Sequence, residues 1–121
     1  MSLQRITFKH TQAEVNLHLQ DLITEKLQTL DRFLSRKGEV RCEVEFAKVA
    51  PKRNGDIYCV EVNILSGGTL YRAEAVEDTF EKAIDQVRNE LESELQRSRT
   101  KRQSLWRKGA RKMKEMMRAV R

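Results

Sequence analysis

Hydrophobic and polar residues alternate in four short segments of the chain, which is the pattern of β-strands with one buried face. The alternating segments are residues 3–9, 40–47, 58–64 and 71–75. Gly67 and Gly68 lie between the last two segments, and adjacent glycines readily adopt the positive φ angles of a tight hairpin turn. The pattern therefore predicts four strands, of which the last two form a hairpin.

Two further segments carry hydrophobic residues at every third or fourth position and are predicted to be amphipathic helices. The first begins after a capping box at Thr11–Glu14 and runs for about six turns, to a stop at Gly38. The second begins at a capping box formed by Asp78 and Glu81 and continues past Leu95. The order β-α-β-β-β-α, with one apolar stripe on each helix, indicates an α+β fold in which both helices cover one face of a four-stranded sheet.

The charge of the chain is concentrated at one end. Residues 1–96 hold 13 Lys and Arg against 17 Asp and Glu, whereas residues 97–121 hold 11 against one, Glu115. A balance of −4 followed by +10 is best explained by a polyanionic partner for the basic end, with a solubilising tail as the alternative. We accordingly predict an α+β domain over 1–102 and a basic amphipathic tail over 103–121 that is helical or disordered.

The predicted tail also carries hydrophobic residues at helical spacing. Gly109 weakens a helix there by about 1 kcal/mol relative to Ala, and the like charges repel, so the isolated tail is expected to fray and to order on a partner. Trp106 is suited either to stacking on an unpaired base or to anchoring a protein contact. The apolar stripe that the hydrophobic residues of the tail would form is also typical of calmodulin-target and membrane-surface helices. Its members are Leu105, Trp106, Ala110, Met113, Met116, Met117 and Val120.

No arrangement of catalytic residues is visible in the sequence. The chain has two cysteines and two histidines, and no pair of them has the spacing of a zinc site. Gly67 and Gly68 are not followed by the Lys-Ser/Thr of a phosphate-binding loop. No apolar run is long enough to cross a bilayer, and the start of the chain is unlike a signal peptide. The chain is therefore expected to be a cytoplasmic protein that is not an enzyme and has no metal, cofactor, small-molecule substrate or membrane partner.

One known family combines this order of elements with a recurring pattern in the last strand and helix. The residues that match are Ala73-Glu74-Ala75, Asp78-Thr79-Phe80, Ala83-Ile84-Asp85, Leu91, Leu95, the basic run from Arg97, the Gly67-Gly68 hairpin and Lys26. On these residues, 3–102 resemble the short form of the ribosome hibernation-promoting factor and ribosome-associated inhibitor family, also called sigma-54 modulation proteins.

The resemblance implies a bacterial protein that binds the small ribosomal subunit near the decoding centre. Its relatives overlap the positions of messenger and transfer RNA there, and they silence and preserve ribosomes in stress or stationary phase without a cofactor. The ribosomal-RNA contacts of the family carry over by position to Lys26, Arg97, Arg99 and Lys101. The basic run adds Arg102, and the further candidate contacts in the tail are Trp106, Arg107, Lys108, Arg111 and Lys112.

Four positions that are often basic in relatives are here Gln20, Thr29, Glu90 and Ser93. Either the charge has moved from the middle of the helical surface to the tail, or the fold has been kept and its docking site has changed. The second case corresponds to a structured-RNA-binding or ribosome-assembly module. A third hypothesis is a protein–protein adaptor that acts through residues 106–120.

Overall fold

The computed structural model describes residues 6–11, 13–35, 38–51 and 55–119, and for 102, 103, 106 and 114–119 it describes the backbone alone. The order of elements confirms the predicted β-α-β-β-β-α arrangement, apart from residues 3–5 of the first predicted strand, which lie outside these ranges. The elements are β1 (Ile6–Thr11), α1 (Leu17–Gln28), a 3-10 turn (Asp31–Phe33), β2 (Arg41–Lys48), β3 (Tyr58–Ser66), β4 (Thr69–Glu77) and α2 (Phe80–Ala119).

The four strands form one mixed sheet in the order β1-β2-β3-β4. β1 and β2 are parallel, with Ile6 opposite Cys42, and the other two pairs are antiparallel. A parallel pair needs a crossover connection, which α1 supplies. The β3–β4 hairpin closes with Ser66 opposite Thr69, and φ is +58° at Gly67 and +78° at Gly68. The predicted two-glycine turn is confirmed, because both central residues have the positive φ of a type I′ turn.

The core lies between one face of the sheet and both helices. Alternate strand residues such as Val44, Val62 and Ala73 share one hydrophobic cluster with Ile23 of α1 and Leu91 of α2. The opposite face of the sheet carries mostly charged and polar side chains, and neither α1 nor α2 packs on it. The prediction that both helices cover the same face is therefore confirmed.

The first helix is shorter than the predicted six turns. It begins after Asn16, whose side chain accepts a hydrogen bond from the backbone N–H of Leu19 at 3.0 Å. The predicted cap, Thr11, instead pairs with Ala47 as the last residue of β1, so its backbone is not available to start a helix. The capping box at Thr11–Glu14 was therefore wrong.

The end of α1 also differs from the prediction. After Gln28 the backbone N–H groups of Thr29 and Leu30 each bond a carbonyl three residues earlier, which tightens the winding. The helical pattern in the sequence had assigned three further apolar residues to this helix. In the structure their buried side chains lie in or next to the 3-10 turn instead. Gly38, with φ +83°, lies in the connection to β2, well beyond the end of the helix. The three buried side chains in or next to the 3-10 turn are Leu30, Phe33 and Leu34.

The second helix begins one residue later than predicted. Thr79 caps it, because its hydroxyl accepts from the N–H of Lys82 at 3.1 Å and its carbonyl accepts from the N–H of Ala83. Asp78, the predicted cap, instead forms an ion pair with Lys82 Nζ at 2.9 Å. The helix then continues for 40 residues, to Ala119. The tail is thus the end of α2, about 60 Å long in all, and its packed first half supplies the nucleus that an isolated tail would lack.

Candidate nucleic-acid interface

α2 changes its surroundings near its midpoint. From Phe80 to Leu95 one side of the helix is buried against the sheet and α1. Beyond Ser98, every side chain that the structure describes is exposed, including Leu105 at 58% and Met113 at 66%. About 30 Å of helix therefore projects from the body of the protein, and this is the part that carries the concentrated positive charge.

The basic run at the start of this projection is accessible to a partner. Arg97, Arg99 and Lys101 are all exposed. Arg97 Nη2 lies 2.5 Å from a carboxylate oxygen of Glu94, an exposed pair that contributes little to stability and leaves Arg97 free to exchange partners. The side chain of Arg102, the remaining member of the predicted run, lies outside the described part of the structure.

The tail candidates continue the same exposed surface. Arg107, Lys108, Arg111 and Lys112 all have exposed side chains. Two pairs of them are four residues apart, so each pair lies on one side of the helix and its like charges repel. The side chain of Trp106 is outside the described part, so its suitability for stacking stays a prediction.

Lys26 is not brought together with the other candidates. Its Nζ lies 3.1 Å from a carboxylate oxygen of Asp85, and the two side chains are 42% and 59% exposed. Twelve residues of α2 separate Asp85 from Arg97, which is about 18 Å along the helix axis. A ligand that contacts both Lys26 and the basic run must therefore extend along the helical side of the protein.

Three polar side chains that the sequence analysis had not singled out, Gln96, Thr100 and Ser104, lie beside the cations on α2. They recur at intervals of three or four residues, and this spacing on one helix was the signal that identifies them. Hydroxyl and amide groups are common phosphate contacts in nucleic-acid complexes. The shallow depression on this side of α2 is lined by Ser93, Gln96, Arg97, Thr100, Lys101, Ser104, Leu105 and Lys108.

A second shallow groove lies between α2 and the β3–β4 hairpin. It brings Thr69 and Leu70 of the hairpin next to Arg97 and Lys101. At its base the Tyr71 hydroxyl donates to Ser98 Oγ at 2.7 Å, which attaches the hairpin to the helix at the last turn before the projection. The start of the basic run is thereby held in a fixed position relative to the sheet.

The middle of the helical surface is occupied by contacts within the protein. Arg88 donates to the Thr29 hydroxyl at 3.0 Å and to Glu92 at 2.7 Å, and Arg32 lies 3.6 Å from the same carboxylate. Glu90 and Ser93 are exposed nearby. These ion pairs neutralise the cations of the middle surface, so the positive charge that a polyanion would meet begins at Arg97.

The described residues give little support for a reactive thiol, a metal site or a membrane-spanning helix. Burial raises the pKa of the Cys42 thiol to about 12, with a smaller effect from Glu43, so the thiol stays protonated at neutral pH. His10 and His18 are exposed. The described part of the chain contains no group of three or more His, Cys, Asp or Glu side chains arranged to hold a metal ion. In the same part, no helix has the length and apolarity to cross a membrane.

Comparison with known proteins gives one family and a set of similar structures. Residues 4–103 match the family model described as Sigma 54 modulation protein / S30EA ribosomal protein. The N-terminal domain of Thermus thermophilus Protein Y superposes with a TM-score of 0.61 at 24% identity, over 75% of this chain and 93% of that one. A ribosomal subunit interface protein from Coxiella burnetii gives 0.63 at 21% identity, over 78% and 97%. None of the curated proteins matches the chain.

Proposed function

Because the chain belongs to the Sigma 54 modulation protein / S30EA ribosomal protein family, which confirms the resemblance drawn from its sequence, we propose that it is a ribosome-binding inhibitor of translation. In this proposal it binds the small ribosomal subunit in the cytoplasm and occupies the decoding region without catalysis. It would thereby silence and preserve ribosomes in stress or stationary phase.

The observation that carries the proposal is the exposed cationic surface from Arg97 to Lys112 on a body of opposite net charge. RNA is a polyanion with condensed counterions, and each phosphate that a cation neutralises releases them, so such a surface favours RNA. The body over 1–102 would position the basic run, and the tail over 103–121 would extend the contact along the same helix. Lys26 would contribute only by exchanging Asp85 for a phosphate.

The direct test is co-sedimentation with purified small subunits over a series of salt concentrations. Replacing Arg97, Arg99 and Lys101 by Ala should reduce the slope of log affinity against log salt by about three, roughly one for each lost phosphate contact. The matched control removes the same charge from the open face of the sheet, by replacing Lys9, Arg41 and Arg72 with Ala. Equal slopes for the two triple variants, or no binding by the wild type at low salt, would contradict the proposal.

A second candidate function is a structured-RNA-binding or ribosome-assembly module with another docking site. It is favoured by the neutralised middle surface and by the basic helix that continues past residue 103, where the family match ends. In this case the protein should bind an arbitrary RNA duplex about as tightly as it binds small subunits. Strong preference for the subunit, together with exclusion of messenger RNA from it, supports the first proposal instead.

The adaptor hypothesis is separated from both by substituting the tail alone. Replacing Arg107, Lys108, Arg111 and Lys112 by Ala leaves the basic run at Arg97–Lys101 intact. If the tail contacts RNA, the slope of log affinity against log salt for subunit binding should be smaller for this variant than for the wild type. Unchanged binding would instead leave the tail available to a protein partner.

A further inference from the structure

Two carboxylates of α2 hold the cations that lie between the two helices. Asp85 pairs with Lys26 of α1 at 3.1 Å. Glu92 pairs with Arg88 of its own helix at 2.7 Å and with Arg32 of the 3-10 turn at 3.6 Å. These contacts join three cations, each from a different element, to two carboxylates from one helix.

The same two carboxylates lie in line with a member of the basic run. Asp85 and Glu92 are seven residues apart, and Arg99 follows Glu92 by another seven, so the three side chains share one side of α2 at intervals of two turns. Arg99 is exposed on this side. RNA bound at Arg99 that continued along α2 towards the body would therefore reach Glu92 after about 10 Å and Asp85 after about 21 Å.

The three paired cations differ in how firmly they are held. The side chain of Arg88 is only 19% exposed, and it also donates to the Thr29 hydroxyl and to the side-chain oxygen of Asn89. It is therefore a structural link between the helices. The side chains of Lys26 and Arg32 are 42% and 70% exposed, and ion pairs of exposed side chains contribute little to stability. These two cations can change partners without loss of the fold.

We propose that Asp85 and Glu92 are specificity-determining residues that withhold Lys26 and Arg32 from RNA held only by the basic run. A phosphate that approaches either cation must displace a carboxylate that is already in place and that repels it. Arbitrary RNA therefore gains no contact from the middle of the helical surface, whereas RNA shaped to follow both helices can exchange its phosphates for the carboxylates. The inference rests on the proposed function, because it takes RNA as the partner of α2.

Neutralising each carboxylate should release its exposed cation. The probe is an arbitrary RNA duplex, whose affinity is measured by fluorescence anisotropy over a series of salt concentrations. Asp85→Asn and Glu92→Gln keep the shape of each side chain and remove its charge. Each should make the slope of log affinity against log salt steeper by about 0.9, the contribution of one further phosphate contact, and the double variant by about twice as much.

A matched control separates this local effect from the change in net charge. Glu61→Gln/Glu74→Gln removes two carboxylates that hold a cation, Arg72, on the open face of the sheet. It raises the net charge by the same amount as the double variant on α2, but it releases a cation far from the basic run. Its slope should equal that of the wild type.

Removing the cation tests whether it is withheld. Lys26→Ala should leave the slope for the duplex unchanged in the wild-type background, because Asp85 already keeps the cation from the RNA. In the Asp85→Asn background the same substitution should cancel the gain. The two backgrounds together distinguish a withheld cation from one that never contacts RNA.

Three results would overturn the inference. They are wild-type slopes for Asp85→Asn and Glu92→Gln, an equal gain for the sheet-face control, and a slope that falls on Lys26→Ala in the wild-type background. Binding of the wild type to small subunits is a separate measurement. Its absence would contradict the proposed function, whereas the slopes for the duplex decide the inference whether or not subunits bind.

Discussion

The two halves of α2 form one continuous helix, but different forces hold them in the helical state. Val87 and Leu91 in the first half are fully buried against the sheet, so tertiary packing stabilises that half. The second half has exposed apolar side chains and repelling cations, and it depends on helix propensity and on propagation from the packed half. A single helix can therefore act as a rigid part of the core at one end and as an adaptable binding surface at the other.

The largest expected effect is on stability, and it tests the difference in burial between the two halves of α2. Leu91→Ala should lower the free energy of unfolding by about 2–5 kcal/mol, because it leaves a cavity among fully buried side chains. The matched change in the second half, Leu105→Ala, should alter it by no more than about 0.5 kcal/mol, because Leu105 is 58% exposed. Urea denaturation followed by circular dichroism measures both. Similar losses for the two variants would show that the projecting half packs against the body.

The strands, the hairpin and the packed side of α2 could be predicted from the sequence, because local pattern and burial agree there. Tyr71, Ala73 and Ala75 alternate with exposed residues in the structure as they do in the sequence. The end of α1 could not be predicted, since Leu30 and Phe33 keep a helix-like spacing while the backbone tightens into a 3-10 turn. The cap of α2 was misplaced because Asp78 and Thr79 are both good N-cap residues, and only the structure shows which one bonds the helix.

The positive charge of the candidate interface could be predicted from the sequence, but the contacts that its cations make within the protein could not. The run of cations that begins at Arg97 is visible in the sequence, and the structure shows that Arg97, Arg99 and Lys101 are exposed. The contact between Lys26 and Asp85 joins two helices that are distant in sequence, and no local pattern reports it. The same is true of the bond between Arg88 and Thr29. Long-range ion pairs and hydrogen bonds therefore decide which cations are available to a partner, and the structure was needed to identify them.

The second effect concerns the packed body of the protein, where Cys42 of β2 is buried, and it depends on pH. Burial raises the pKa of the Cys42 thiol from 9.0 to about 12. Between these values the unfolded chain releases the proton while the folded chain keeps it, so this stabilisation is complete below about pH 9 and decreases as the pH rises. The expected slope is about 1.4 kcal/mol per pH unit.

The comparison of wild type with Cys42→Ala isolates this thiol, because all other titrating groups are shared. The difference between their free energies of unfolding should change by about 2 kcal/mol between pH 9 and pH 10.5, with the wild type losing more. A difference that is constant with pH would mean that the thiol is accessible to water in the folded state. The thiol should also resist alkylation at neutral pH until the protein is unfolded.

The smallest effect contrasts two glycines, one in each region, for which the same substitution should have opposite consequences. Gly68 has φ +78° in the hairpin and an added Cβ would meet nothing, so Gly68→Ala should destabilise the body by about 1–2 kcal/mol through backbone strain alone. Gly109 lies within α2, where an added Cβ also meets nothing, so Gly109→Ala should stabilise the local helix by about 1 kcal/mol. Urea denaturation should detect the first change, whereas the second should raise the helical signal in far-ultraviolet circular dichroism and leave the denaturation midpoint unchanged. If Gly109→Ala shifted that midpoint, the projecting half would be coupled to the unfolding of the core, and the separation of α2 into two regions would be wrong.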